Sequence, residues 1–226
     1  MPAPGSEGLP LNVLRFIRDN WDTLGPEVAT QLEIPLIAVA AACVIGISMG
    51  VAGARSARAD AFFTAVNSAL LTIPSFALFG LVAFLTGTGN PPVAIGLVLY
   101  ALLPIQRNTT AGIRAVRPEV VEAARGMGMT GRQLLTVVEL PLALPVVIAG
   151  IRQATVSLIA IATVGAAYDS NNLGRPILEV LRNENTTKLV AVVLLIAVIG
   201  LAADALLAAA ERLLSRGRIT AAVAGG

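Results

Sequence analysis

Histidine is absent from this chain of 226 residues, and cysteine occurs once, at Cys43. Without imidazoles or paired thiols there is no material for disulfide staples, for zinc sites of the Cys/His kind or for histidine-dependent catalysis. Charge is scarce too. Asp, Glu, Lys and Arg make up 13% of the residues, about half the share found in a soluble domain (roughly 25%). Lysine appears only as Lys188, so the basic side chains are almost all arginine, which reads as composition bias. The formal net charge of +2 is too small for a phosphate-binding footprint, so nucleic acid is not an expected partner. No Gly-x4-Gly-Lys-Ser/Thr run is present, which removes nucleotide hydrolysis through a phosphate loop of that kind.

What the chain does have is apolar surface. Hydrophobic residues are 56% of the total and the mean hydropathy is +0.80, values that exclude a water-soluble single domain. Glu33 and Arg55 enclose 21 uncharged residues, Asp60 and Arg107 enclose 46, Arg152 and Asp169 enclose 16, and Lys188 and Asp204 enclose 15. A helix needs about 20 to cross a bilayer. The 46-residue stretch is too long for one crossing and breaks at the turn residues Thr86-Gly-Thr-Gly-Asn-Pro-Pro92,. The expected architecture is one all-α integral membrane domain over residues 1–226, with about five transmembrane helices at 34–54, 61–85, 92–108, 142–167 and 188–210. The third span is short and borrows the polar residues up to Thr110, with Arg107 reaching to the boundary.

Arginine placement orients these spans. If residues 109–141 face the cytoplasm, ten basic residues lie inside (Arg55, Arg58, Arg107, Arg114, Arg117, Arg125, Arg132, Arg212, Arg216, Arg218) and five outside (Arg15, Arg18, Arg175, Arg182, Lys188). That asymmetry predicts an N-terminus outside and a C-terminal tail, 211–226, inside. Met1–Pro10 has neither the basic start nor the apolar core of a cleavable signal,. Within the outer segment 1–27, Leu14, Ile17, Trp21 and Leu24 share a helical face, which predicts an interfacial helix; a leader without structure is the alternative.

The cytoplasmic segment is organised. Pro118 suits the first turn of a helix, Gly126 and Gly128 suit its end, Thr130 can cap a second helix and Pro141 can mark the start of the next span. The result is a helix-turn-helix on the membrane surface. Taken alone, it is equally an amphipathic surface helix with a capped turn.

At these residues the chain resembles the permease subunits of type I ATP-binding-cassette importers, whose signature is Glu-Ala-Ala, three residues, Gly, nine residues, an aliphatic, one residue, then Leu-Pro. Here Glu122, Ala123, Ala124, Gly128, Val138, Leu140 and Pro141 keep every interval. Thr72-Ile-Pro-Ser-Phe-Ala-Leu, Leu103-Pro-Ile-Gln-Arg-Asn-Thr and Glu139-Leu-Pro-Leu-Ala-Leu-Pro-Val-Val-Ile-Ala-Gly-Ile-Arg are similar to the osmoprotectant branch, which imports glycine betaine, choline, carnitine and related solutes. Where that branch has a glycine-rich turn before Leu-Gly, this chain reads Tyr168-Asp-Ser-Asn-Asn-Leu-Gly174. The resemblance implies a permease fold in a bacterial plasma membrane, no catalytic residue and no cofactor in this chain, and ATP held by a separate ATPase subunit. It also implies an extracytoplasmic solute-binding protein and a second permease copy or paralogue as partners. In this reading Ala123 and Ala124 let the loop seat closely in the ATPase, and Glu122 orients it. A methionine-type permease is the alternative within the class.

Thr64, Ser68, Thr72 and Ser75 form a polar stripe on the second span, with Asn67 beside it,. Such a stripe faces protein or water: it either glues helices together or lines a translocation path, with Pro74 allowing a bend. The outer loop residues Tyr168, Asp169, Asn171 and Asn172 are candidate contacts for the binding protein or an outer gate, or form a solvated turn. Arg152 and Asp204 are the two charges left inside spans. Charges there are costly and need partners, so the two either pair across the fourth and fifth spans or each reach the interface. An integral membrane enzyme would need clustered ionisable groups at membrane depth, and the sequence offers only these two.

Overall fold

The structure is a computed structural model that describes residues 9–183 and 185–223. The first eight residues of the expected outer segment and the last three of the expected tail lie outside the described residues. Among those described, every regular element is helical: α1 (Leu9–Asp19), α2 (Trp21–Arg55), α3 (Ala57–Thr72), α4 (Ser75–Thr86), α5 (Asn90–Arg114), α6 (Pro118–Gly126), α7 (Gly131–Tyr168), α8 (Gly174–Asn183) and α9 (Thr186–Val223).

Three helices are long and apolar enough to cross a membrane: α2, α7 and the Thr186–Arg212 part of α9. A fourth is reached if α3 and α4 count as one span. These two were expected as a single helix at 61–85, but they separate at Ile73-Pro74 with a bend of 98°. Pro74 lacks an N–H and drives the preceding residue out of the helical region, so a bend becomes a break. The 25-residue α5 is about 38 Å long at 1.5 Å per residue, enough to span. It runs on to Arg114 beyond the expected end near 108, and Gln106–Thr110 keep it too polar to join the other three.

The largest departure concerns Pro141, expected as a helix boundary. The helix instead runs unbroken from Gly131 to Tyr168. Just ahead of Pro141 it widens into a π-helical turn over Leu134–Glu139. A proline removes one amide and crowds the carbonyl four residues back; a turn bonded from residue i to i+5 relieves that crowding. The second helix of the loop and the fourth span are therefore one element.

The chain divides into two compact units, Met1–Ala38 with Ile73–Leu97 and Ser157–Ala202, and Val39–Thr72 with Val98–Val156 and Ala203–Gly226. In the first unit, Leu24, Leu173 and Val192 form a core joined by Phe16, Val28 and Ile177. The expected face of Leu14, Ile17, Trp21 and Leu24 is broken because α1 ends at Asp19. Val13 and Leu24 turn inward, whereas Leu14 and Trp21 are exposed. Gln31 is fully buried and its amide donates to the Ile159 carbonyl at 2.5 Å. Tyr168 donates to the Phe76 carbonyl at 2.6 Å and packs edge-on to Phe79.

The loop after α7 is held from within this unit. Asn172 is completely buried: its amide donates to the Ala162 carbonyl at 2.7 Å and its carbonyl accepts from Gly174 N at 2.8 Å. Asn172 is thus not available to a partner, in contrast to the expectation; Asp169 and Asn171 remain exposed. Asp169 takes a left-handed backbone, φ 63°, which short polar side chains tolerate,.

In the second unit, Ile113, Ala143 and Val147 form the core, with Ile47, Val51, Leu135 and Leu140 packed against it. Helices approach closely where side chains are small. A β-carbon at Gly112 would lie 3.1 Å from the Ala143 carbonyl, and one at Gly150 would lie 2.8 Å from the Pro104 carbonyl. Two glycines, one on each helix, thus set an antiparallel seam between α5 and α7.

Candidate functional site

The segment between α5 and the long helix α7 is a real helix-turn-helix within the second unit. Pro118 opens α6 at its first position and Gly128, at φ 82°, makes the left-handed turn that other residues resist,. Thr130 then caps α7 with a reciprocal box: its hydroxyl accepts from Gln133 N at 3.3 Å, and the Gln133 side chain accepts from Thr130 N at 2.9 Å,.

The two alanines of the motif part company. Glu122 and Ala123 are exposed, but Ala124 is 2% exposed and turned into the chain's own fold, where α6 packs on the π-helical turn. Ala124 therefore fixes α6 to its neighbour and is not offered to a partner. The outward face consists of Val120, Ala123 and Met127, at helical spacing, with Glu122 alongside. Sequence reasoning missed Val120 and Met127, although intervals of three and four mark one helix face. Val138 is half-buried in the π-helical turn, and Leu140 and Pro141 lie half-buried just beyond it.

The π-helical turn also carries Glu139, which is 3% exposed. Its two carboxylate oxygens accept from the two terminal guanidinium nitrogens of Arg55, one at 2.9 Å. Arg55 is the last residue of α2 and is half open to solvent, while the Glu139 side chain is not. Beside the pair lies a cavity of about 350 Å³ lined by Arg55, Arg125, Met129, Gly131 and Leu134.

The polar stripe of the second span does not persist as one row. Ser75 opens α4 in the first unit, and Thr72 is exposed with its hydroxyl returned to the Ala69 carbonyl at 2.7 Å. Ser68 is half-buried. Thr64 and Asn67 instead join a network centred on Gln106, which is fully buried. The Gln106 amide donates to Thr64 at 3.1 Å and to Asp60 at 3.3 Å, and its carbonyl accepts from Asn67 at 3.2 Å. Asp60 also accepts from Arg114 at 2.8 Å, and Arg114 donates to the Gly53 carbonyl at 2.7 Å.

Asp60, Gln106 and Arg114 were not singled out from the sequence. Yet Asp60, Thr64 and Asn67 stand at intervals of four and three on α3, and Gln106, Thr110 and Arg114 at intervals of four on α5. Two matched polar faces were legible. The network borders an open cavity of about 330 Å³ whose polar lining comes from Asp60, Thr64, Arg107, Thr110 and Arg114.

Arg152 and Asp204 meet. The Arg152 Nε donates to Asp204 at 2.6 Å, a second guanidinium nitrogen reaches the other carboxylate oxygen at 3.4 Å, and the third donates to Glu211 at 3.1 Å. Glu211, about two helical turns further along the same face of α9, makes the cluster a triad. Among the described residues, no group of three metal-ligating side chains is gathered anywhere.

Helices long and apolar enough to cross a membrane, with a helix-turn-helix between two of them, are the features of a transport permease. The family described as binding-protein-dependent transport system inner membrane component matches residues 42–216, and the chain belongs to it. It is a multi-pass membrane protein. The choline transport system permease protein OpuBD of Bacillus subtilis is 39% identical over 207 residues, covering 90% of each chain. The carnitine transport permease protein OpuCD of Listeria monocytogenes is 38% identical over 213 residues, 91% of this chain and 94% of that one. In fold, the chain resembles the permease of the inward-facing MetNI methionine ABC transporter, with a TM-score of 0.75 over 93% of this chain and 99% of that one, at 20% identity. The type I importer permease fold implied by the loop motif is thus the fold observed.

Proposed function

We propose that the chain forms half of a translocation path for a compatible solute such as glycine betaine, choline or carnitine. The observation that carries this reading is the pair of near-full-length relatives whose names specify choline and carnitine transport. Both solutes, like glycine betaine, carry a trimethylammonium group, so the class is small trimethylammonium compounds. The fold likeness to a methionine transporter, at 20% identity, speaks to architecture alone.

Two copies, or this chain and a paralogue, pair about a two-fold axis, and the path runs along their interface. Thr64, Asn67, Ser68, Thr72 and Ser75 are its candidate lining. An ATPase subunit binds the nucleotide, and this chain holds no cofactor. The α6 face of Val120, Ala123 and Met127 seats in that subunit, with Glu122 at its rim, and closure of two ATPases moves the helices beyond the loop. An extracytoplasmic binding protein delivers solute to the outer side, where the N-terminus lies; the C-terminus lies inside. Arg152 and Asp204 act as a strut between α7 and α9.

Charge reversal at Glu122 tests the coupling role. A charge reversal that sets like charges against each other across an interface costs roughly 2 kcal/mol or more, about 30-fold in affinity for the ATPase. In Glu122→Lys, inserted at normal levels, uptake of labelled choline and solute-stimulated ATP hydrolysis should fall together. Normal uptake would remove the coupling assignment, and uptake of methionine in place of the trimethylammonium solutes would overturn the substrate class.

A further inference from the structure

We infer that the Arg55–Glu139 pair is the link through which movement of the coupling loop is handed to α2. This rests on the coupling reading of the loop and extends it to two positioning residues outside the signature. Glu139 lies where the loop becomes a spanning helix, in the π-helical turn immediately before Leu140 and Pro141. Turns of this kind are rare and cluster at functional positions. Its carboxylate is buried, and both oxygens are occupied by one guanidinium, a two-point grip that fixes orientation as well as distance,. Arg55 is the last residue of the 35-residue α2, and Ser56 alone separates it from α3.

Two properties of the pair suit transmission. A buried carboxylate stripped of its partner is strongly disfavoured, so Arg55 follows Glu139 when the loop shifts, and α2 follows Arg55. The cavity of about 350 Å³ beside Arg55 is lined otherwise by loop residues, Arg125, Met129, Gly131 and Leu134. The loop therefore borders open space on its Arg55 side. Even a β-carbon at Gly131 would touch nothing within 4 Å.

The experiment uses the full assembly in proteoliposomes: permease, ATPase and binding protein, with labelled choline as the probe. Two readouts are taken, co-purification of the ATPase with the permease and choline moved per ATP hydrolysed. Glu139→Gln keeps shape and removes charge. It should retain the ATPase and hydrolyse ATP, while choline moved per ATP falls about fivefold or more, the lower end of ordinary coupling between sites. Arg55→Lys, which cannot grip at two points, should fall in between. The exchange Arg55→Glu with Glu139→Arg should recover at least half of the transport ratio.

An unchanged ratio in Glu139→Gln would overturn the inference. So would simultaneous loss of ATPase co-purification, which would make the pair a support for the loop's fold alone, or an exchange variant that recovers nothing. None of these results touches the docking role of α6, which stands or falls with Glu122→Lys.

Discussion

Replacing Gly150 by alanine tests the seam between α5 and α7 directly. The new β-carbon would lie 2.6 Å from the Asn108 Cβ, 2.8 Å from the Pro104 carbonyl oxygen and 3.0 Å from the Asn108 Cγ. Carbon atoms rest at about 3.5–4.0 Å, so the helices must part by about 1 Å or bend. Backbone cannot rotate away as a side-chain tip can, so this is overpacking of the costly kind, about 1–3 kcal/mol. Alanine returns about 0.5–1 kcal/mol through its better helix propensity, leaving a net loss of about 1–2 kcal/mol. The measurement is the unfolding free energy of the purified permease in mixed micelles titrated with SDS. Gly200→Ala is the control, because a β-carbon there meets nothing within 4 Å, and it should be neutral or slightly stabilising. Asn108→Gly added to Gly150→Ala should recover part of the loss. If Gly150→Ala matches the parent within about 0.5 kcal/mol, the helices are not in the contact described and the reasoning fails.

Gln106→Leu removes the centre of the α3–α5 network and leaves the buried Asn67 amide without its carbonyl acceptor, at a cost of about 1–3 kcal/mol in the same titration; an unaltered transition would show that the network adds nothing to stability. For the triad on α7 and α9, Arg152→Asp gathers three carboxylates and should abolish accumulation of the permease in membranes. Adding Asp204→Arg should restore only part of it, because Asp at 152 still faces Glu211. A double variant no better than the single would show that these charges do not join the two helices.

The parts of the molecule that could be read directly are those encoded by short-range pattern. Charge-free runs marked the long helices, and Pro118, Gly128 and Thr130 marked the loop because each acts through its own backbone. Failures came where one residue has two possible effects. Pro74 and Pro141 both follow helical sequence, yet Pro74 breaks a helix and Pro141 rides inside one, since a widened turn absorbs the lost bond. Asn172 sits in a polar run that suggests a surface loop, but its amide is spent entirely on neighbouring backbone. Arg55 and Glu139 are 84 positions apart, and no local pattern ties them. The Asp60 and Gln106 faces were visible as spacing, but a stripe of hydroxyls drew attention to Thr72 and Ser75, which the break at Pro74 separates.

The π-helical turn has one more consequence, which concerns counting. A turn bonded from i to i+5 behaves as an ordinary helix into which one extra residue has been slipped, and the widened turn takes that residue up, so the helix on either side keeps its angular phase. At 3.6 residues per turn, one residue is about 100° of rotation. The nine positions between Gly128 and Val138 are therefore a dial as well as a distance. Removing one at Arg132, ahead of the widened turn, would turn Leu140, Ala143, Val147 and Arg152 about a quarter-turn relative to the loop, whereas removing one inside that turn would leave an ordinary helix in its present phase.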